Sequence, residues 1–407
     1  MLKRIAAIGF IFFCSAIAWL VLAASISSRT NNSDTKLRPG VASTWGTAQR
    51  QIQPTAILEQ SVPPESSSPG QTMKAPQPTQ ISLNSERSRV HAGLSLEYRK
   101  KGLLWYDTYV VAFSGSYVFR NSTGHPGRIL LNFCFPAQQA IYDDLAILAN
   151  GQPLPFSANS NGVSAGLSVP PGQTVGYQIS YKSRGLDSWR YSLGADVQQT
   201  RDFALVLDTN FAGVDFPSNT LSPTSMKKTN AGWEMTWQYR NLISGFEIGT
   251  TMPEKLQPGP LAGEISTFAP VSLFLFFFVL LMLTTVRKIE LHPMNYFFLA
   301  AAFFAFHLLL AYSVDHISIQ LAFALSSLIS VGLVVSYLRI VVGSRFAIVE
   351  AGLMQFVFLI LFSLSFFLKG FTGLAITIGC IVTLFIAMQA TAHVKWREQF
   401  AGASIHP

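Results

Sequence analysis

The sequence has few cysteines and few charged residues for its length. Its 407 residues include only three cysteines, and 12% of the residues are charged. The cysteines are Cys14, Cys134 and Cys380. They are far apart in the sequence and show neither the spacing of a metal site nor that of a disulfide framework. We therefore expect no disulfide-rich fold and no bound metal ion.

The sequence also lacks the motifs of the common enzyme classes. It has no G-x-S-x-G nucleophile elbow, no H-E-x-x-H metal motif, no phosphate-binding loop and no dinucleotide fingerprint. Dense basic clustering is missing as well. The net charge is +8, yet the densest basic run is only Arg99, Lys100 and Lys101. We therefore expect no enzymatic activity, no cofactor and no nucleic-acid binding.

Long hydrophobic runs are abundant. Six segments are each long enough to cross the hydrocarbon core of a bilayer: residues 5–24, 268–286, 294–314, 317–338, 346–368 and 371–392. The first segment is longer than the apolar core of a signal peptide, so we interpret it as an uncleaved anchor. Cleavage near the Ala23-Ala24-Ser25 exit is the alternative.

Basic residues alternate with these segments. The short loops predicted to face the cytoplasm hold Lys3, Arg4, Arg287, Lys288, Arg339, Arg345, Lys395 and Arg397, and those predicted to face outward hold only Lys369. Because basic residues near helix ends are retained in the cytoplasm, both termini are predicted to be cytoplasmic. Residues 25–267 are then periplasmic.

The predicted periplasmic region has two parts. Residues 26–80 are rich in Pro, Ser, Thr and Gln, which predicts a largely irregular linker, with 41–45 as an exception. Residues 81–264 alternate apolar and polar side chains in short runs separated by turn signals, most clearly over 233–240. This pattern is typical of a β-sandwich.

The predicted fold class is therefore membrane α+β. It comprises an N-terminal transmembrane anchor, an exported β-sandwich domain and a C-terminal bundle of five transmembrane helices. The predicted boundaries are 1–25 for the anchor, 26–80 for the linker, 81–264 for the periplasmic domain, 265–397 for the bundle and 398–407 for a cytoplasmic tail.

Several short motifs resemble one known family. They are Pro258-Gly259-Pro260-Leu261, the run 268–277, Leu291-His292-Pro293-Met294-Asn295-Tyr296, Asp315-His316, Tyr337-Leu338-Arg339 and Lys395-Trp396, with looser matches at 44–46, 215–217, 221–224 and 241–243. Together they resemble the bacterial inner-membrane protein family CreD over most of residues 98–396. The chain departs from that pattern in its Pro/Ser-rich linker and in Asp315, where Glu is more usual.

The resemblance implies an inner-membrane protein of Gram-negative bacteria that is tied to cell-envelope integrity and envelope stress. It implies no established catalytic residue. The lipid bilayer is an expected partner, and a periplasmic protein, lipid or glycan is a possible second one.

The predicted bundle contains one candidate polar site. His307 falls in the middle of the third span, and Asp315 and His316 fall at its outer boundary. His307 and Asp315 are eight residues apart, which places them on similar sides of a helix. One hypothesis is a short proton path or ion site. The alternative is an interhelical hydrogen bond from His307 beside a solvated Asp-His turn.

A second candidate lies at the cytoplasmic boundary. His292, Pro293 and Tyr296 open the third span, and Pro at the first helical position costs no hydrogen bond. We interpret the three residues as a helix-entry device, with a lipid-headgroup or partner contact as the functional alternative. Glu350 is expected to form an intrahelical ion pair with Arg345.

Two further sets of residues in the exported region have weaker functional interpretations. Paired carboxylates among Asp143, Asp144, Asp187, Asp202, Asp208 and Asp215 could serve glycoside chemistry, although aspartates at strand ends are common. Trp233, Trp237 and Tyr239 could bind carbohydrate, but their strict alternation favours a core stripe.

The sequence favours a non-enzymatic inner-membrane protein whose periplasmic β-domain binds an envelope partner. The alternative is a small-solute or lipid transporter that uses the helix bundle. A polar cavity around His307 would favour the transporter, and an exposed carboxylate pair in a cleft would favour a hydrolase.

Overall fold

The structure is a computed structural model that describes residues 2–60, 79–138, 140–194, 198–368 and 370–392. The chain forms two compact units: Met1–Thr35 with Leu256–Pro407, and Lys36–Lys255. Lys369, Lys395, Trp396, Arg397 and the predicted tail 398–407 lie outside the described residues.

Six helices of the described chain are long and apolar enough to cross a membrane. They are α1 (Leu2–Trp45), α2 (Pro258–Val286), α3 (Pro293–Ser313), α4 (Ile319–Val341), α5 (Phe346–Phe367) and α6 (Thr372–Thr391). Helices α3 to α6 begin and end close to the predicted spans. Helices α1 and α2 are longer than predicted, because polar and small residues continue them beyond their apolar segments.

Aromatic side chains fill much of the helical core. The ring centroids of Phe276 on α2 and Phe303 on α3 lie 4.6 Å apart, and those of Phe306 on α3 and Phe323 on α4 lie 5.5 Å apart. Helix α5 contains two π-helical stretches, Phe346–Ala351 and Phe356–Leu361. A π-helical turn changes the local backbone hydrogen bonding. At the second stretch, the Ser272 hydroxyl donates to the Phe358 carbonyl.

The other unit is built from β-strands. They are β1 (Gln49–Ile52), β2 (Thr55–Gln60), β3 (Thr79–Leu83), β4 (Arg87–Lys101), β5 (Leu104–Arg120), β6 (Gly127–Cys134), β7 (Tyr142–Ala149), β8 (Gln152–Pro153), β9 (Ser157–Asn159), β10 (Gly162–Val169), β11 (Thr174–Leu186), β12 (Ser188–Ser192), β13 (Gln198–Thr209), β14 (Ser225–Lys228), β15 (Trp233–Ser244) and β16 (Ile248–Thr251).

These strands form three sheets. The largest has the order β14-β15-β13-β4-β5-β11-β7-β8, the second β3-β2-β6-β10-β9, and the third β1-β12-β16. Most neighbouring strands are antiparallel; β4 pairs with β13, and β1 with β12, in parallel. Strands β7 and β8 form a hairpin at Asn150-Gly151, and β8, which contains Pro153, lies at a sheet edge.

The eight-stranded and five-stranded sheets share an apolar core. Phe113 of the first lies 6.2 Å from Phe133 of the second, measured between ring centroids. The Tyr177 hydroxyl also donates to the Ile129 carbonyl across the two sheets at 2.9 Å. The larger sheet therefore has one face turned to this core.

Strand β15 decides between the two interpretations of its aromatic residues. Trp237 is fully buried, and Trp233 and Tyr239 are partly buried against the same core. The Trp237 indole N–H donates to the Leu221 carbonyl at 2.8 Å. The alternating aromatics are a core stripe, as favoured from the sequence.

The predicted linker, residues 26–80, is largely wrong where the structure describes it. Helix α1 continues to Trp45, and β1 and β2 belong to sheets. Within β2, Ala56 and Leu58 are fully buried between exposed or half-buried neighbours. The linker was predicted from the composition averaged over residues 26–80, and a strand as short as β2 changes that average little. Residues 61–78 lie outside the described residues.

Strand β5 is one continuous strand that contains a glycine near its middle. Gly115 does not break it, since the strand pairs with β4 and β11 through that position. A Cβ atom at Gly115 would lie 2.7 Å from the Tyr117 ring. The glycine is therefore explained by a close side-chain approach, not by a turn.

Candidate functional site

His307 lies within the aromatic core of the helical unit and is 1% exposed. Its Nδ1 lies 2.9 Å from the Phe303 carbonyl of the same helix. The Trp19 and Phe306 rings meet its ring edge to face, at centroid distances of 5.6 and 4.9 Å. The hydrogen bond is thus within α3, in contrast to the interhelical bond predicted as the alternative.

Asp315 lies just beyond the end of α3 and pairs with a residue that the sequence analysis placed in the linker. Its Oδ2 is 3.0 Å from Nη1 of Arg29 on α1. The same guanidinium donates to the Ala311 carbonyl at 2.9 Å and lies 5.3 Å from the centre of the Tyr312 ring. Asp315 is therefore paired, not part of a solvated turn.

These contacts leave the predicted polar site divided. His316 is exposed, and among the described residues no hydrogen bond or ion pair joins His307 to Asp315 or His316. The structure thus places His307 in a packed core and Asp315 in an ion pair at the helix end.

The start of α3 has the geometry of a helix-entry device. Pro293 occupies the first turn, and the His292 Nδ1 accepts a hydrogen bond from the Met294 backbone N–H at 3.2 Å. Tyr296 is buried, with its ring edge-on to Phe277 at 5.2 Å. Its hydroxyl group is buried as well.

Glu350 pairs with a different residue from the one predicted. Its Oε1 lies 2.6 Å from Nη1 of Arg287, at the end of α2. The Glu350 side chain is 14% exposed. The ion pair therefore joins α5 to the end of α2 and is not the intrahelical pair with Arg345 that was predicted.

A polar chain crosses the middle of the helical unit. The Gln355 side-chain amide donates to the Ser330 hydroxyl at 2.9 Å, and Ser330 donates to the Ala302 carbonyl at 2.7 Å. All three groups are buried, and the Gln355 Oε1 has no partner among the described residues. Polar side chains hold helices together in this way within bilayers.

The face of the eight-stranded sheet that is turned away from the apolar core carries a hollow of about 520 Å³. Its lining includes short or polar side chains, such as Ser114, Ser116, Gln178, Ser180 and Ala204, and the apolar side chains of Leu148 and Val206. Arg89 and His91 of β4 stand along one side. Several adjacent strands contribute short side chains here. The sheet surface is therefore recessed, and a ligand or a segment of another chain could fit into it.

Ion pairs border this hollow. Asp202 accepts from both Arg89 and Arg87, and these guanidinium groups lower the pKa of its carboxyl group. The His91 Nε2 lies 2.7 Å from Asp208 Oδ2. The border is therefore polar but largely paired, which suits recognition of a neutral or mixed-charge surface better than capture of a free ion.

The aspartates considered for glycoside chemistry are mostly paired with basic residues. Asp144 pairs with Lys182, Asp187 with Arg38, Asp202 with Arg87 and Arg89, and Asp208 with His91. Within the described residues, no group of three or more His, Cys, Asp or Glu could hold a metal ion. The contacts of these four aspartates are thus those of ion pairs.

Residues 265–397 match the family model described as the inner membrane protein CreD. This is a CreD-like multi-pass membrane protein. The matched region begins within α2 and extends past α6, so the resemblance seen in the sequence motifs is confirmed there. The match supports a location in the inner membrane. No curated protein matches the chain.

Two solved structures are similar to parts of the CreD-like chain. One is described as a "putative nutrient binding protein" of Legionella pneumophila. It is 11% identical, with a TM-score of 0.34, and the match covers 57% of this chain and 76% of the Legionella chain. An M1 zinc metallopeptidase of Deinococcus radiodurans is 13% identical, with a TM-score of 0.29, covering 42% of each chain. At these scores neither likeness supports an inference about activity.

Sequence reasoning missed Arg29 and the hollow. Arg29 could have been found by following the helix beyond its apolar segment. The hollow is formed by residues that are distant in sequence, from β4 to β13, so only the strand order brings them together.

Proposed function

We propose that this CreD-like protein is a non-enzymatic inner-membrane protein that serves cell-envelope integrity or the envelope stress response. Both termini are cytoplasmic, and residues 25–267, with their β-sandwich, are periplasmic. The β-domain binds an envelope partner, and the helix bundle anchors it. The observation that carries this proposal is the CreD match over 265–397.

The hollow on the eight-stranded sheet is the proposed partner-binding surface. It lies on the sheet face turned away from the apolar core, and its lining combines short polar side chains with apolar ones such as Leu148 and Val206. Ser116 and Ser180 lie within it and are at least partly exposed. A periplasmic protein, lipid or glycan that lies on this face would contact several strands at once.

Site-specific crosslinking tests the proposal. A photoreactive amino acid replaces Ser116 or Ser180 in intact cells, and the same probe replaces the exposed Ser168 on β10 as the matched control. We expect a defined crosslinked species from the two hollow positions that Ser168 does not give. Capture of the same material from all three positions, or of bulk lipid alone, would contradict partner binding in the hollow.

A transport function is less well supported. The transporter alternative depended on a polar environment around His307, but Trp19 and Phe306 pack directly on that ring. His307 therefore contributes to packing in this arrangement.

A further inference from the structure

An apolar groove runs along the outside of the helical unit between α3 and α4. Its volume is about 460 Å³. The buried residues Leu299, Ala302 and Val334 line its floor. Phe298, Leu333 and Ile340 line it too and are 48%, 46% and 86% exposed. The groove is therefore open to whatever surrounds the bundle.

The groove has the length and depth of part of a lipid tail. On α4 it extends from Leu333 to Ile340, which is about 10 Å along the helix axis. One leaflet contributes about 15 Å to the hydrocarbon core. Because Ile340 lies one residue before the end of α4, the groove starts at the membrane boundary and reaches most of the way through one leaflet.

Polar contacts fix the boundary end of the groove. The Tyr337 hydroxyl donates to Asn295 Oδ1 at 2.7 Å and so joins α4 to α3. The Phe298 ring lies 5.3 Å from the Tyr337 ring. These contacts hold the two helices at a fixed spacing, so the groove is formed before any ligand binds.

An exposed cation, Arg339, lies beside this end. Arg339 follows Ser336, a groove residue, by three positions and therefore lies beside it on the helix surface. Arg339 is exposed and has no ion pair with any described residue. Basic residues beside grooves between membrane helices at the cytoplasmic side commonly bind anionic lipid headgroups.

We propose that the groove between α3 and α4 binds one tail of an anionic phospholipid, with Arg339 at the phosphate of its headgroup. The charge at the mouth favours an anionic headgroup, and the apolar floor favours an acyl chain. The proposed orientation places the end of α4 at the cytoplasmic face, and so assigns the lipid to the cytoplasmic leaflet. The position of the site on the protein does not depend on that orientation.

Native mass spectrometry of the purified full chain tests the site. The probes are dioleoyl phosphatidylglycerol and dioleoyl phosphatidylcholine. We expect the wild-type protein to retain phosphatidylglycerol about fivefold better, as one basic group near an anionic lipid allows. Arg339→Gln should bring this ratio close to one. Ala301→Phe, which fills the groove from an exposed position, should reduce retention of both lipids.

Matched controls lie elsewhere on the bundle. Lys3→Gln removes a different exposed cation at the same end, and Ala390→Leu enlarges an exposed residue of α6. Both variants should show the wild-type ratio of phosphatidylglycerol to phosphatidylcholine and the wild-type amount of retained lipid. The thermal unfolding midpoint of each variant, measured in lipid-free detergent, shows whether it folds.

Three results would overturn the proposal. An equal decrease of the ratio in Lys3→Gln and in Arg339→Gln would indicate a diffuse charge effect. If the folded Ala301→Phe variant retained both lipids as well as the wild-type protein does, the lipid would not be bound in the groove. Loss of a dimer species, with no loss of lipid, in Ala301→Phe would show that a helix of a second copy fills the groove. None of these results depends on what the β-domain binds.

Discussion

Asp107 is a buried carboxyl group on β5 whose Oδ1 lies 3.3 Å from the backbone nitrogen of Lys255, its hydrogen-bond donor. Burial, with a smaller contribution from the neighbouring Glu254 and Asp187 carboxylates, raises its pKa to about 6, although the Lys255 N–H and the Arg38 guanidinium act in the opposite direction. The group therefore gains a proton on folding at mildly acidic pH.

This residue predicts a pH dependence of stability. Its pKa in the folded state, about 6, lies above the ordinary value of 3.8 that applies to the unfolded chain. The contribution of this group to the free energy of unfolding is therefore fully present below pH 3.8 and is lost as the pH rises through 6. Asp107→Asn should flatten the dependence of the thermal unfolding midpoint between these pH values. Asp143→Asn, at an exposed position on β7, is the control. A wild-type slope in Asp107→Asn would contradict the assignment.

The surroundings of His307 and Asp315 could be predicted only in part from the sequence. The sequence indicates that His307 must lie inside the bundle, because an ionisable group is costly in lipid, and the structure agrees. Sequence spacing could not reveal the partners. Trp19 and Arg29 both come from α1, which is separated from α3 by more than two hundred residues, and only the packing of the helices joins them.

At the scale of elements, α1 is the helix that the sequence predicted least well. Its apolar part was recognised by length, but its continuation to Trp45 was not. Trp19 on this helix is fully buried and packs edge to face on Phe304, at 5.5 Å between ring centroids. The first half of α1 is thus a packed member of the helical unit as well as an apolar anchor.

Trp19→Ala should therefore destabilise the helical unit strongly. Removing a buried aromatic side chain of this size typically costs about 3–5 kcal/mol. Leu20→Ala is the control, since Leu20 is 55% exposed. Thermal unfolding in detergent should show a large decrease in midpoint for the first variant and a small one for the second. Equal decreases would mean that α1 does not pack through Trp19.

The Arg287–Glu350 pair gives a second prediction at this scale. Arg287→Gln should destabilise the protein by about 1 kcal/mol, because the partner carboxylate is mostly buried while Arg287 is half exposed. Arg345→Gln, which removes the partner expected from sequence, should have a smaller effect. Thermal unfolding midpoints of the two variants compare the contacts directly. A larger effect of Arg345→Gln would support the intrahelical pair instead.

For the whole molecule, hydrophobic length and strand alternation predicted much of the architecture. The apolar segments correspond to long helices, and runs such as 233–240 lie within strands. The sheet order, the hollow and the groove were beyond prediction, because each is formed by residues brought together from distant strands or from two helices. Composition was misleading over 26–80, where a short strand such as β2 is averaged with turn-forming neighbours.

The proposed periplasmic position of the β-domain can be tested through the cysteines. Cys134 at the end of β6 is exposed, whereas Cys14 and Cys380 lie within α1 and α6. A membrane-impermeant maleimide should therefore label the protein in spheroplasts whose inner membrane is intact, and Cys134→Ser should abolish the label. Labelling of Cys134 only after the inner membrane is lysed would place the β-domain in the cytoplasm and contradict the account.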